Sequence, residues 1–171
     1  QQYGVPMITP SSTNPSVTAL GPMISRVCFI DPFQGFVGAK FAYETKNARN
    51  IAVLFDQTAA YSKGLKDDFK KAFTGMGGKV PAELAYSKGD PDFSAQLTAI
   101  RATNPDMIYV PGYYNDVGNI PQQARRLGAL DPSAQRDVVM THLGRVHPQL
   151  TDPAMVTRTV GWSWDRHPWS G

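Results

Sequence analysis

The sequence predicts an α/β fold in which helices flank both faces of a parallel sheet. Its 171 residues are enough for one domain with a substantial core. Hydrophobic residues make up 42% and charged residues 18%, as in ordinary globular proteins. Strand-like and helix-like segments then alternate along the middle of the chain. Such alternation is typical of βαβ units, whose right-handed crossovers leave consecutive strands parallel.

The first elements are an apolar strand, a hydroxyl-rich loop and a second strand. The run 6–8 predicts a buried strand, and Thr, Ser, Asn and Pro crowd into the loop 9–18 that leaves it. Residues 24–30, "ISRVCFI", predict the second strand because they are rich in β-branched and aromatic side chains. Cys28 falls within this strand, where a free cysteine usually behaves as a small buried hydrophobe.

Residues 31–45 predict the first long helix. Asp31 suits the cap and Pro32 suits the first helical position. Four large apolar side chains share one face of this helix, namely Phe33, Phe36, Val37 and Phe41.

The next unit is a strand at 50–55 and a helix at 61–76. Apolar residues recur in the helix at helical spacing, namely Leu65, Phe69, Ala72, Phe73 and Met76. The pair Gly77 and Gly78 predicts the end of the helix, so we interpret "GMGG" as a helix stop.

The βα pattern continues to about residue 140. An internal proline places the strand at 79–87 near a sheet edge. Pro121 predicts that the helix at 115–128 is strained or shortened. The other expected elements are a capped helix at 90–104, a strand at 106–112 and a strand at 137–140.

The last part of the chain has a different composition. After residue 128 there is neither Phe nor Lys, while all three His and all three Trp are found there. No helical or strand period is visible in residues 157–171. We therefore expect residues 141–171 to be an atypical tail, either non-native or disordered.

Several functional classes find no support in the sequence. The net charge of +3 is small and scattered, so we expect no nucleic acid partner. A nucleophile elbow, a dinucleotide fingerprint and a P-loop are all missing from the sequence. The three His and Asp165 match no compact metal motif. We expect neither catalysis, nor a metal, nor a cofactor.

Three loops leave strands at the carboxyl edge of the predicted sheet, where α/β proteins bind ligands. They are the hydroxyl-rich loop, residues 56–64 and residues 111–116. Hydroxyls and backbone N–H groups can bind a carboxylate. Tyr61, Tyr113 and Tyr114 can line a site for a small polar zwitterion. Ordinary turn chemistry explains the same composition.

Longer stretches resemble a known family. They are "YGVPMITPSSTNPSVT", "RVCFIDPFQG", "YSKGLKDDFKKAF", "YSKGDPDFSAQLTAIRATNPDMIYVPGYYND" and "QARRLG". In order and spacing these resemble the periplasmic substrate-binding proteins of branched-chain amino acid ABC transporters, which have the type I periplasmic-binding fold. The resemblance covers residues 1 to about 128.

The resemblance implies an incomplete type I periplasmic-binding-protein-like lobe within a fragment of a longer chain. Residues 1–30 would be the end of a first lobe and a crossover, and residues 31–140 would form the second lobe. Ser11 and Thr13 match the first-lobe loop that holds the ligand's carboxylate and amino groups. Tyr61 and Tyr113 match second-lobe ligand contacts.

The implied function is capture of a branched-chain or related amino acid, or of a small amide, outside the cytoplasm. The expected partners are that ligand and a membrane ABC permease, and the expected location is periplasmic or extracytoplasmic. Exposed sheet edges predict self-association. The alternative is a stand-alone flavodoxin-like domain that senses a ligand or regulates without catalysis.

Overall fold

The computed structural model describes residues 4–129. Strands and helices alternate along this part of the chain. Their bounds are β1 Met7–Thr9, α1 Ser16–Ala19, β2 Ile24–Arg26, α2 Asp31–Lys40, β3 Ile51–Asp56, α3 Ala60–Gly75, β4 Glu83–Tyr86, α4 Ser94–Ala102, β5 Met107–Tyr109 and α5 Tyr114–Arg126. A π-helical turn, Phe41–Thr45, extends α2.

All paired strands are parallel. The larger sheet has the order β4-β3-β5, with Val53 opposite Glu83 and Ile51 opposite Met107. The smaller sheet pairs β1 with β2. The parallel α/β class predicted from the alternating segments is therefore confirmed, and among the strands of residues 4–129 the fourth lies at a sheet edge, as predicted.

Helices pack on both faces of the larger sheet, because alternate side chains of β3 enter two different cores. Ala52 and Leu54 face α4 and α5, whose buried residues include Leu97, Ile100, Val117 and Ile120. Ile51 and Val53 face α2 and α3, whose buried residues include Ala39, Leu65, Phe69 and Phe73. This separation follows from the two-residue period of a strand.

Helices α2 and α3 approach each other closely through a glycine. A Cβ atom added at Gly35 would lie 2.7 Å from the Phe69 nitrogen and 2.8 Å from the Asp68 Cβ. The two backbones can therefore meet only because this position carries no side chain.

The helix stop predicted at "GMGG" is confirmed in detail. Gly77 has a φ of 94°, and its N–H donates to the Thr74 carbonyl at 3.0 Å. The N–H of Gly78 donates to the Phe73 carbonyl at 3.0 Å. These two hydrogen bonds form a Schellman motif, which satisfies the last carbonyls of α3.

Two predictions about the first strands are wrong. The opening strand is not buried, because Met7 and Ile8 are exposed. Helix α1 packs against β2 but buries none of its own four residues, so it is too short to cover this sheet. The second strand ends at Arg26, and Cys28 lies half-buried in the bend that follows it.

The start of α2 also differs from its prediction. Asp31 is the first helical residue and is fully buried, whereas Ile30 occupies the cap position. The apolar side chains of Phe33, Phe36 and Val37 point outward and are exposed. The helix packs inward through small residues, because Gly35 and Ala39 permit the close approach to α3.

Pro121 does not shorten α5, which runs through it to Arg126. An internal proline costs a helix about 3 kcal/mol. Val117 and Ile120, in the helical turn before Pro121, are buried. Full burial of such side chains contributes about 1.5–3 kcal/mol each. Tertiary packing thus offsets the local cost.

The strand predicted at 137–140 and the atypical tail lie outside the described residues. Pro81 precedes β4 rather than interrupting it, which shortens the strand predicted at 79–87. Within residues 4–129, none of the helices combines the length and the apolar character that crossing a membrane requires.

Candidate functional site

The loops predicted to carry the site leave the carboxyl ends of β1, β3 and β5. The first follows Thr9, the second follows Asp56, and the third is Val110 to Tyr113. Parallel strands bring their carboxyl ends to the same edge of a sheet, so the second and third loops are neighbours.

The hydroxyl-rich loop is folded around its own side chains. Thr9 donates its hydroxyl to the Ser12 Oγ at 2.8 Å, and the Ser12 N–H donates to the Thr9 Oγ1 at 3.1 Å. Ser11 is exposed at the turn. Thr13 is only 3% exposed, and its Oγ1 has no hydrogen-bond partner among the described residues. A buried hydroxyl of this kind is suited to a ligand that enters the site.

Arg26 joins this loop to β2. Its guanidinium donates to the carbonyls of Ser12 and Asn14 at 2.8 and 2.9 Å. It also donates to the Pro15 carbonyl at 3.1 Å and to the Thr18 Oγ1 at 2.7 Å. Arg26, which the sequence does not mark as part of a site, therefore helps to hold the loop conformation through four hydrogen bonds.

The loop is also joined to the start of α2. The Asp31 N–H donates to the Thr13 carbonyl at 3.0 Å. Asn14 lies over α3, since a Cβ added at Gly64 would be 3.3 Å from its Nδ2. These contacts bring the hydroxyl-rich loop against the first turns of α2 and α3.

The two predicted tyrosines meet at this place. The rings of Tyr61 and Tyr113 have centroids 5.5 Å apart and are tilted by 39°. One turn after Asp31, the Gln34 Nε2 donates to the Tyr61 hydroxyl at 3.1 Å. The Gln34 Oε1 is buried and has no hydrogen-bond partner among the described residues. Helix α2 therefore connects the two parts, with Asp31 hydrogen-bonded to Thr13 and Gln34, one turn later, hydrogen-bonded to Tyr61.

Ser62 connects the second loop to the third through hydrogen bonds. The Asp56 N–H donates to the Ser62 Oγ at 2.9 Å, and the Ser62 hydroxyl donates to the Pro111 carbonyl. Because Ser62 is fully buried, these hydrogen bonds are shielded from water. These hydrogen bonds fix the position of Tyr61 relative to the segment that leads to Tyr113.

Acidic side chains lie close to Tyr109, which is itself close to Tyr61. Burial, reinforced by the nearby Asp31 carboxylate, raises the pKa of Asp68. Burial, with Tyr61 and Asp31 nearby, also raises the pKa of Tyr109 well above its ordinary value, so this phenol stays neutral. The neutral Tyr109 phenol and the buried Asp31 side chain therefore lie close to Tyr61.

The sequence predicted Ser11, Thr13, Tyr61 and Tyr113 as ligand contacts. The structure brings the last three into one connected set and leaves Ser11 exposed on the same loop. Their contact with a ligand stays a prediction. Sequence reasoning missed Gln34 and Arg26, although "DPFQG" follows a strand and presents Asp31 and Gln34 one helical turn apart.

The described residues contain no group of three or more acidic, His or Cys side chains that could hold a metal ion. Hydroxyls, an amide and tyrosines come together at the carboxyl edge of the parallel sheet, which is where the class of α/β ligand-binding proteins holds small polar molecules.

The comparisons with known proteins agree with this class. The periplasmic binding protein family matches residues 1–166, and the chain belongs to this family. The match favours a solute-binding protein over the flavodoxin-like alternative.

Two solved structures share the fold. A leucine binding protein from Thermotoga maritima is 42% identical with a TM-score of 0.70, over 80% of this chain and 41% of that one. A branched-chain amino acid transporter substrate binding protein from Streptococcus pneumoniae, solved with isoleucine, is 32% identical with a TM-score of 0.70, over 82% and 41% of the two chains.

A curated relative from Pseudomonas aeruginosa is the leucine-, isoleucine-, valine-, threonine- and alanine-binding protein. It is 35% identical over 129 residues, which are 75% of this chain and 34% of the relative. The chain thus spans about a third of the length of the curated relatives it matches. The names of these relatives describe amino acid-binding proteins.

Proposed function

We propose that this chain is part of an extracytoplasmic solute-binding protein that captures a branched-chain or related amino acid, or a small amide, for uptake by an ABC transporter. The observation that carries the proposal is the connected set of Thr13, Asp31, Gln34, Tyr61 and Tyr113 at the sheet edge. Relatives named for binding leucine, isoleucine and valine support the ligand class.

Each predicted contact has a distinct role in this proposal. The hydroxyls of Ser11 and Thr13 bind the ligand's carboxylate and amino groups, since a hydroxyl both donates and accepts hydrogen bonds. Tyr61 and Tyr113 contact the ligand from the second lobe, and their rings exclude water from its polar groups. No bond is made or broken in the ligand.

The remaining parts of the proposal follow from the family. The protein acts in the periplasm or another extracytoplasmic space, and its partner is a membrane permease. In the domain organisation that goes with it, residues 1–30 end a first lobe and form a crossover, and residues 31–140 form the second lobe.

A titration followed by amide-correlation NMR tests the binding proposal. We expect leucine, isoleucine, valine or a small amide to shift the signals of Thr13, Tyr61 and Tyr113. Thr13→Val removes the hydroxyl while keeping the shape, and should weaken binding about tenfold or more if the hydroxyl meets a charged group. Thr98→Val on the exposed face of α4 is the matched control and should change nothing.

Two outcomes would contradict the proposal. One is a spectrum that no ligand of the pool changes. The other is equal weakening by Thr13→Val and Thr98→Val, which would place binding elsewhere.

We also infer that the chain self-associates. Unpaired strand edges invite pairing between chains. Met7 and Ile8 of β1 and Phe33, Phe36 and Val37 of α2 add exposed apolar surface. Sedimentation should show dimers or larger species that increase with concentration, and a monomer at every concentration would refute this.

A further inference from the structure

Arg26 holds more backbone carbonyls of the hydroxyl-rich loop than its other hydrogen-bond donors do. Arg26 donates hydrogen bonds to three of the loop's backbone carbonyls, those of Ser12, Asn14 and Pro15, at 2.8 to 3.1 Å. A fourth hydrogen bond, to the Thr18 Oγ1 at 2.7 Å, joins α1 to the same side chain. The carbonyl of Thr13, between these acceptors, is held by the Asp31 N–H instead.

This arrangement determines where the N–H groups of the loop point. In a trans peptide group the C=O and the N–H point in opposite directions. The Thr13 N–H shares its peptide group with the Ser12 carbonyl, and the Asn14 N–H shares its peptide group with the Thr13 carbonyl. Each of these N–H groups therefore points away from the donor that is hydrogen-bonded to the carbonyl of the same peptide group.

We infer that Arg26 is a positioning residue for carboxylate recognition by this loop. It touches no ligand itself. By holding the Ser12 carbonyl, it presents the Thr13 N–H, and with it the buried Thr13 hydroxyl, to a ligand carboxylate. This inference rests on the proposed function, because it concerns how the same site recognises an α-amino acid.

Arginine suits this task for a geometric reason. Its planar guanidinium carries five N–H donors in a rigid fork, and here two nitrogens serve four acceptors. Lysine keeps the charge but offers three donors on a single nitrogen, so it cannot reach acceptors that are spread along the loop. Arg26→Lys thus keeps the positive charge and removes only the arrangement of the hydrogen-bond donors.

Arg49 provides a matched control. Its guanidinium donates to the carbonyls of Tyr43 and Ala48, both at 2.9 Å. It therefore also holds a backbone segment, but at the opposite edge of the sheet, before β3 begins. Arg49→Lys should cost the fold a similar kind of contact without touching the hydroxyl-rich loop.

The first measurement needs no ligand. In the Arg26→Lys chain, hydrogen exchange of the Asp31 amide, which is bonded to the Thr13 carbonyl, should accelerate about tenfold or more. The Ile51 amide, bonded to the Lys79 carbonyl, should keep its rate. Arg49→Lys should leave the Asp31 amide unchanged. Unaltered Asp31 exchange in Arg26→Lys would overturn the inference.

The second measurement compares leucine with leucinamide, which keeps the ammonium group but lacks the carboxylate. We expect Arg26→Lys to raise the leucine Kd about tenfold, the effect of losing one charge-assisted hydrogen bond, and to raise the leucinamide Kd by much less. Equal weakening of both ligands would reduce Arg26 to a purely structural residue and overturn the inference.

The two measurements also separate this inference from the proposed function. If the unsubstituted chain binds neither ligand, the proposed function fails, and the exchange rates alone decide whether Arg26 holds the loop. If the chain binds leucine and Arg26→Lys binds it equally well, only the inference about Arg26 fails.

Discussion

Two three-residue parallel strands, β1 and β5, begin with the same two residues but differ in burial. Met7 and Ile8 in β1 are 45% and 66% exposed, whereas Met107 and Ile108 in β5 are 9% and 1% exposed. The difference lies in the layers around them. Strand β5 lies between the core formed with α2 and α3 and the core formed with α4 and α5, whereas the short α1 leaves β1 uncovered.

The comparison shows that local sequence sets a strand's preference but not its burial. We call β1, β2 and α1 the two-stranded region, and β3, β4, β5 with α2 to α5 the three-stranded region. The candidate site joins the two, since Thr13 lies between β1 and α1 of the first region and Tyr61 and Tyr113 belong to the second. Folding energy should therefore come mainly from the three-stranded region.

The largest difference is expected when each of the two matched isoleucines is replaced by alanine. Ile108→Ala should lower the free energy of unfolding by about 2–5 kcal/mol, because it leaves a cavity in a closed core. Ile8→Ala should change it by less than about 0.5 kcal/mol, because the side chain is already in water. Urea unfolding measures both, and similar losses would mean that β1 is covered in solution.

A second test probes how tightly the three-stranded region is packed. Gly35→Ala should destabilise the protein by about 1–3 kcal/mol, because the new Cβ meets backbone and Cβ atoms of α3. Gly118→Ala in α5 is the control: nothing lies within 4 Å of its added Cβ, so helix propensity should stabilise the protein by about 0.5–1 kcal/mol. Thermal unfolding that ranks the two the other way would disprove the close contact between α2 and α3.

The smallest effect concerns polar contacts in the same region. Hydrogen bonds from Lys66 and Lys70, at 2.6 and 2.7 Å, lower the pKa of Glu83 and join α3 to β4. A lowered folded-state pKa means that the contribution is present above the unfolded-state value near 4.5 and is lost as the pH falls through the lower folded-state value.

The contribution should be about 1 kcal/mol or less, since the Glu83 side chain is 25% exposed. Glu83→Gln should therefore lower stability slightly at neutral pH and flatten its decline in acid. Glu44→Gln, in the exposed pair with Lys40, is the control. An acid decline unchanged by Glu83→Gln would assign the pH dependence to other carboxyl groups.

Part of the candidate site was predictable from the sequence. Loops that leave parallel strands gather at one edge, so the hydroxyl-rich loop and the loops of Tyr61 and Tyr113 could be grouped before their contacts were known. Gln34 and Arg26 could not be assigned in the same way. Their roles arise from hydrogen bonds to residues 27 and 8 to 14 positions away along the chain, which no local pattern encodes.

The sequence by itself determined the order of the strands and of the four longer helices, their parallel class and the end of α3, because hydrophobic period and glycine placement act over a few residues. Tertiary structure decided the rest: that Ile108 is buried and Ile8 exposed, that α2 turns Gly35 inward and Phe36 outward, and that α5 continues through Pro121. The reason is the same in each case. A side chain's environment depends on which element packs against it, and burial worth several kcal/mol outweighs local preferences of about 1–3 kcal/mol.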